Sequence, residues 1–162
     1  MSAIAVLPGL CAAQQPPVSD TISISSEVAS TWQENGTNVI AFSSPVQIEL
    51  DSAKMSADGA VIWVSNPRGI VPDSRYVEIA LIGNATLEHG TARRTGDRLF
   101  VTAQVRGSIR MDTRERLTQD ASDSELFDVA SALRDQIGFS LRTETGQWRM
   151  PRPSPFVEQP QV

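Results

Sequence analysis

Apolar and polar residues alternate with a period of two over much of this chain. The alternating runs are Val46, Ile48 and Leu50; Val77, Ile79 and Leu81; Leu99, Val101, Ala103 and Val105; then Ile109 and Met111. Successive side chains of a strand point to opposite faces, so these runs predict half-buried β-strands. The runs are broken by turn chemistry: Asn35-Gly36, Ser43 to Pro45, Asp58-Gly59, Asn66-Pro67, Gly83-Asn84, His89-Gly90 and Gly96-Asp97. Each break supplies tolerance of positive φ or a side chain that caps its own backbone. Breaks at this density predict many short strands, with residues 21 to 111 almost entirely antiparallel strand. Ser122 to Gln136 differs, because Leu126, Val129, Ala130 and Leu133 fall on one helical face and Ser122 with Glu125 has capping-box spacing. A helix is expected near 124 to 136. After Gly138, alternation returns with Phe139 and Leu141, and Thr145-Gly146 before Trp148 predicts a final hairpin.

The chain also resembles itself. At an offset of 39, Ile40, Ala41 and Phe42 match Ile79, Ala80 and Leu81, and Val46, Ile48 and Glu49 match Ala85, Leu87 and Glu88. Ala53 then matches Ala92, Asp58 matches Asp97, and Val61 and Ile62 match Phe100 and Val101. Partial copies flank the pair: Ile24 to Trp32 parallels Met55 to Trp63, and Gly107, Ile109 and Met111 echo Gly83, Ala85 and Leu87. The repeat unit reads as a strand, a turn at Ser44-Pro45 or Gly83-Asn84, a second strand, a loop and an acidic residue opening a third. One unit cannot cover its own apolar face, so neighbouring units are expected to stack with equivalent positions pointing the same way.

Length and composition narrow this picture without naming a chemistry. At 162 residues, with 40% apolar and 20% charged residues, the chain suits one globular domain. A net charge of −5 weighs against a nucleic-acid partner, which generally needs an excess of cations. The cations are nonetheless uneven, since Arg93, Arg94, Arg98, Arg106, Arg110, Arg114 and Arg116 lie close together in the sequence. A single cysteine, Cys11, excludes an internal disulfide. The opening MSAIAVLPGLCAA is apolar and ends in small residues, as a secretory signal does, although no Lys or Arg precedes it and Pro8-Gly9 interrupts it. The expected organisation is a signal segment and spacer over 1–20, one β domain over 21–150 and a Pro-rich tail over 151–162.

The stretch IAFSSPVQIELDSAKMSADGAVIWV, followed by VEIALIGNATLEHGTARRTGDRLFVTAQVRGSIRM, resembles the OstA-like domains of lipopolysaccharide transport proteins, the group of LptA and the N-terminal domain of LptD. The resemblance covers about Ile22 to Met111. The family's recurrent Gly-turn and Ala-Asp elements fall at Gly83-Asn84, Gly107-Ser108, Ala57-Asp58 and Gly96-Asp97, whereas Ser44-Pro45 stands where Gly is usual. What the resemblance implies is an all-β, repeat-built antiparallel β-jellyroll with an apolar inner groove for acyl chains, in a periplasmic or outer-membrane-associated protein.

The inward alternating set, Ile48, Leu50, Ile79, Leu81, Leu87, Val101 and Ile109, is the candidate lining of such a groove. Arg93, Arg94 and Arg98, with Arg106 and Arg110 behind them, are candidates for an anionic headgroup, because guanidinium matches carboxylate and phosphate bidentately. Solvated strand faces balanced by Asp97, Asp112 and Glu115 are the alternative for those arginines. His89 lacks the partners a metal or catalytic role needs and reads as an exposed turn residue. Asp58 and Asp97 recur beside turns, which favours capping over acid–base work. Trp32 and Trp63 hold equivalent repeat positions, which favours packing over sugar stacking. No enzyme activity, cofactor or metal is expected. The partners expected are a lipid with acyl chains and other OstA-like domains joined by edge-strand stacking; the alternative is an envelope scaffold with no ligand groove.

Overall fold

The computed structural model describes residues 21–66 and 74–141, the side chains of 138–141 excepted. The expected signal segment, Cys11, the hairpin around Trp148 and the Pro-rich tail lie outside the described residues. Six strands and one helix follow in order: β1 (Ile22–Glu34), β2 (Thr37–Leu50), β3 (Ala53–Ser65), β4 (Arg75–His89), β5 (Ala92–Val105), β6 (Ile109–Leu117) and α1 (Glu125–Leu141). They form an all-β fold of one six-stranded sheet, in spatial order β5-β4-β3-β2-β1-β6, with a single C-terminal helix.

Two corrections concern the strands. They are fewer and longer than the density of turn signals predicts, at 13 to 15 residues for β1 to β5. The true hairpin turns are Asn35-Gly36, Asp51-Ser52 and Gly90-Thr91, closed by the pairs Glu34 with Thr37, Leu50 with Ala53, and His89 with Ala92. Asn35 and Gly36 take φ of 49° and 79°, the positive values that a two-residue hairpin loop requires when it follows the twist of its strands. The Asp51-Ser52 turn is additional to the expected breaks, with Asp51 at φ of 51°. Second, the sheet is not wholly antiparallel, because β6 pairs with β1 in parallel, Ile22 opposite Ile109 and Ile24 opposite Met111.

The other turn signals lie inside strands. The pairing register slips between Ser25 and Ala29 in β1, Ser43 and Val46 in β2, Ser56 and Gly59 in β3, and Ile82 and Ala85 in β4. Because Ser43 pairs with Gly59 and Gly59 with Ile82, these slips line up from strand to strand. They make one crease across the sheet. An extra residue in one strand leaves the ladder locally unpaired and bends it, so a row of bulges folds the sheet rather than ending its strands. Gly83 and Asn84 supply φ of 79° and 46° at the crease, and in β2 the same place is taken by a cis Ser44-Pro45 bond.

The chain connection shows how far the folding goes. Only 106–108 separates the end of β5 from the start of β6, and that link reaches at most about 14 Å. Yet β5 and β6 are opposite edges of the sheet, about 24 Å apart if it were flat. The sheet therefore folds over until the Val105 end of β5 approaches the Ile22 end of β1, where Ser108 O accepts from Ile22 N at 3.2 Å. Its concave face holds one apolar core drawn from both sides of the crease, including Ile24, Ile48 and Leu87 on one side and Phe42, Ile62, Leu81 and Val101 on the other. Ile48 and Leu87, equivalent in the repeat, are both fully buried, and Val61 and Phe100 share the opposite, convex face. The 39-residue offset corresponds to one hairpin of two long creased strands, β2-β3 and then β4-β5.

The convex face is covered by α1. Phe127, Ala130 and Leu133 pack on Val39, Ala41, Val61, Trp63, Ala80 and Phe100. The helix is capped two residues later than its sequence predicts: Ser124 Oγ accepts from Phe127 N at 3.2 Å, and Ser122 instead donates its N–H to Asp120 Oδ1 at 2.8 Å. Glu125 and Asp128 in the first turn suit the positive end of the helix. The helix continues through Gly138 to Leu141, so the alternation at Phe139 and Leu141 does not make a strand. Gly59 allows the close approach at the crease, since a Cβ there would lie 2.8 Å from Leu126 Cδ1.

Candidate functional site

The concave face is closed along most of its length. Ile48, Leu50, Ile79, Leu81, Leu87 and Val101 are between 0% and 3% exposed, so these six candidate groove residues form the packed core between the two halves of the sheet. At about 1.5–3 kcal/mol for each fully buried side chain, separating those halves would forfeit far more than a weakly bound ligand returns. Only Ile109, the seventh candidate, lies at an opening, where it and Met111 are half-buried against the core.

That opening is a cleft of about 560 Å³ between the start of β6 and residues at one end of β1 to β4. Register decides which residues face it. Paired residues of an antiparallel ladder share a face, and Thr31 pairs with Ile40, Gln33 with Asn38, Asn38 with Val64, and Val64 with Val77. Val77 and Ile40 belong to the concave core, so Thr31, Gln33, Asn38 and Val64 point inward with them. Arg75, two residues before Val77, opens β4 on the same face. The cleft is thus zoned: Ile40, Val64, Ile109 and Met111 are its apolar part, with Trp32 and Val39 at its border with the convex side, and Thr31, Gln33, Asn38, Asn66, Arg75 and Thr118 are its polar part. Gln33 Nε2 donates to Asn38 Oδ1 at 3.0 Å, and Thr31 Oγ1 donates to the carbonyl of Leu117 at 3.4 Å, which ties the ends of β1 and β6.

The arginines singled out by their density in the sequence sit elsewhere. Arg93, Arg94 and Arg98 are all on β5, the sheet edge farthest from β6 in strand order. Arg93 pairs with Glu88 opposite it at 3.4 Å, both well exposed, a contact of small energy. Arg94 stands opposite Leu87, and Arg98 opposite Ile82. None of the three lines the cleft. The cation that does is Arg75, which the sequence reading passed over. Its signal was present: Arg75, Val77, Ile79 and Leu81 continue one alternation, so a cation at its start belongs to the mouth of the apolar face.

On the convex side an aromatic cluster anchors the helix. Trp32 meets Phe127 edge-on with ring centroids 5.3 Å apart, and Trp63 lies 6.2 Å from the same ring. The two repeat-equivalent tryptophans therefore pack on one helical side chain. Arg134 stacks over Trp63 at 4.9 Å and donates from Nε and Nη2 to Glu78 Oε2 at 2.9 and 2.6 Å. The Trp32 indole N–H is buried with no hydrogen-bond partner among the described residues. Nearby Tyr76 is partly exposed, and burial first, then the Glu78 charge, push its phenol above the ordinary tyrosine value. Beside the helix a smaller hollow of about 390 Å³ is lined by Glu34, Thr37, Ser131, Arg134 and Asp135, among others.

His89 flanks the Gly90-Thr91 turn and is exposed, and Asp58 accepts from Asn84 at the crease. Among the described residues no three of His, Cys, Asp and Glu are placed to hold a metal ion, and no helix is long and apolar enough to cross a membrane. No family model, no curated protein and no solved structure matches the chain.

Proposed function

We propose that this protein is an extracytoplasmic lipid-binding and transport module of the OstA-like kind, which takes the apolar part of a lipopolysaccharide-type amphiphile into its curled sheet. The observation that carries this reading is the zoned cleft: an apolar concave face, closed at Ile48, Leu50, Ile79, Leu81, Leu87 and Val101, opens among the described residues beside Ile109 and Met111, and that opening is rimmed by polar groups. Sites that bind amphiphiles combine an apolar wall with a few placed polar groups, and a cleft of this size suits a ligand rather than a void. The sequence resemblance supports the same reading, as does a sheet whose two edge strands, β5 and β6, offer backbone for pairing with further domains of the same kind. No covalent chemistry is needed for such a role. The location that fits it is the periplasm or the periplasmic face of an outer membrane.

Lipid extraction tests this. The protein is purified without detergent from the periplasm of a Gram-negative host and analysed by native mass spectrometry. Lipid copurifying with the intact chain, and lost when Met111 is replaced by Asp, is the expected result. A lipid-free protein that also fails to take up added amphiphile points to the second reading, an envelope scaffold that uses the repeat only to build a surface. The closure of most of the concave face favours that second reading more than an open groove would have.

A further inference from the structure

We infer that the cleft takes one alkyl chain of an amphiphile with an anionic head, the chain between Ile40, Val64, Ile109 and Met111 and the head at Arg75; this rests on the amphiphile-binding reading above. The charge of the lining is the first ground. The chain carries 19 acidic and 14 basic residues, so an unselected patch of surface would hold more carboxylate than cation. Among the described residues that line the cleft the reverse holds, because Arg75 is the one ionisable side chain and none is a carboxylate. Arg75 is exposed and opens β4, pairing through its backbone with Val105 just before the link to β6. It makes no ion pair with another described residue. A guanidinium beside the uncharged amides of Gln33, Asn38 and Asn66 is a donor-rich rim, suited to carboxylate or phosphate oxygens and unsuited to a cationic head.

The capacity of the cleft is the second ground. Its volume of about 560 Å³ falls inside the ~300–1,000 Å³ that one small ligand fills. Beyond Ile40 and Val64 the concave face is occupied by its own side chains, with Phe42, Ile62, Ile79 and Leu81 fully buried. A second and third tail would have to displace that core. One chain entering at the mouth would not.

Isothermal titration of the full chain with amphiphiles sharing a dodecyl tail, each below its micellar concentration, tests the inference. Dodecanoate and dodecyl phosphate are compared with dodecyl maltoside, dodecyltrimethylammonium and hexa-acyl lipid A. One chain bound per protein is expected, with both anions about tenfold tighter than the maltoside, the size of one charge-assisted hydrogen bond. Arg75→Gln should remove that preference while leaving the maltoside affinity in place, and Arg75→Lys should retain part of it. A preference for only one of the two anions would identify the head as carboxylate or phosphate. Equal affinity for all heads, indifference to Arg75→Gln or more than one chain per protein would overturn the inference while leaving the amphiphile reading intact. Failure to bind any of the five would remove both.

Discussion

Asn84 donates from Nδ2 to Asp58 Oδ2 at 2.8 Å, joining β4 to β3 across the crease of the sheet. The same carboxylate stands against Gly83, where an added Cβ would lie 2.7 Å from Oδ2. Asp58 therefore holds the bulged backbone of its neighbour from one side and fills the space beside its glycine from the other. This is the structural role expected of an acidic residue that recurs beside turn chemistry, and it places the bend under the control of three residues.

Gly83→Ala should consequently be more harmful than Asp58→Ala. Gly83 has φ of 79°, where an L-residue costs about 1–2 kcal/mol before any clash is counted. Asp58→Ala removes one exposed hydrogen bond, for less than about 1 kcal/mol. Urea unfolding of both variants and of the double variant checks this: Asp58→Ala should relieve the steric part of the Gly83→Ala cost but not the backbone part. Additive losses would show that the two residues do not meet.

Phe127 is the residue on which the docking of the helix depends, since its ring meets both Trp32 and Trp63. Phe127→Ala should cost about 3–5 kcal/mol if the helix stays docked around a cavity, and less if the helix simply detaches. Tryptophan fluorescence distinguishes the cases, because detachment exposes both indoles to water and shifts their emission to the red. An unshifted spectrum with unchanged stability would contradict the packing described.

Gly59→Ala drives a methyl toward Leu126 Cδ1. The clashing atom is the end of a flexible side chain, so a loss of about 1 kcal/mol is expected rather than failure to fold. Adding Leu126→Ala should recover the steric part. If it does not, the helix is not seated on the crease at this point.

Tyr76 provides a pH test free of assignment problems, because the chain has one tyrosine. Its folded pKa is raised above the unfolded value, chiefly by burial and then by Glu78. The unfolded chain therefore loses its phenolic proton first as pH rises. The contribution is fully present below the ordinary value of about 10 and is lost as pH climbs through the folded value. Phenolate absorbance should show a midpoint above that of denatured protein, and Glu78→Gln should lower it. A folded midpoint at or below the denatured one would be inconsistent with the environment seen here.

How much of this was legible in the sequence differs by feature, and the differences have physical causes. Faces were legible, because period-2 alternation fixes them: Ile48 and Leu87 are both fully buried, and Glu49 and Glu88 are both exposed. Strand ends were less so. Gly83-Asn84 and Asn35-Gly36 use the same positive-φ chemistry, yet one lies at a bulge inside β4 and the other closes a hairpin, and only the register of the neighbouring strand separates them. The parallel pairing of β6 was hidden for a related reason. A link of three residues ordinarily predicts an antiparallel neighbour, and it spans opposite edges here only because the whole sheet has curled. Arg75 was readable from its alternation with Val77 and Ile79, but the cleft it faces is created by β6 arriving from the far edge. The dense arginines drew attention by number, while the structure puts Arg93, Arg94 and Arg98 on β5, away from the opening.

The central claim is that an alkyl chain enters the concave face beside β6, and site-specific photo-crosslinking in cells tests it most directly. Ile109 and Met111 are half-buried against the core, while Arg110 and Asp112 between and after them are exposed on the other side of the strand. A photoreactive residue at 109 or 111 should capture a lipid, and one at 110 or 112 should not. Equal labelling at all four positions, or at none, would contradict the claim.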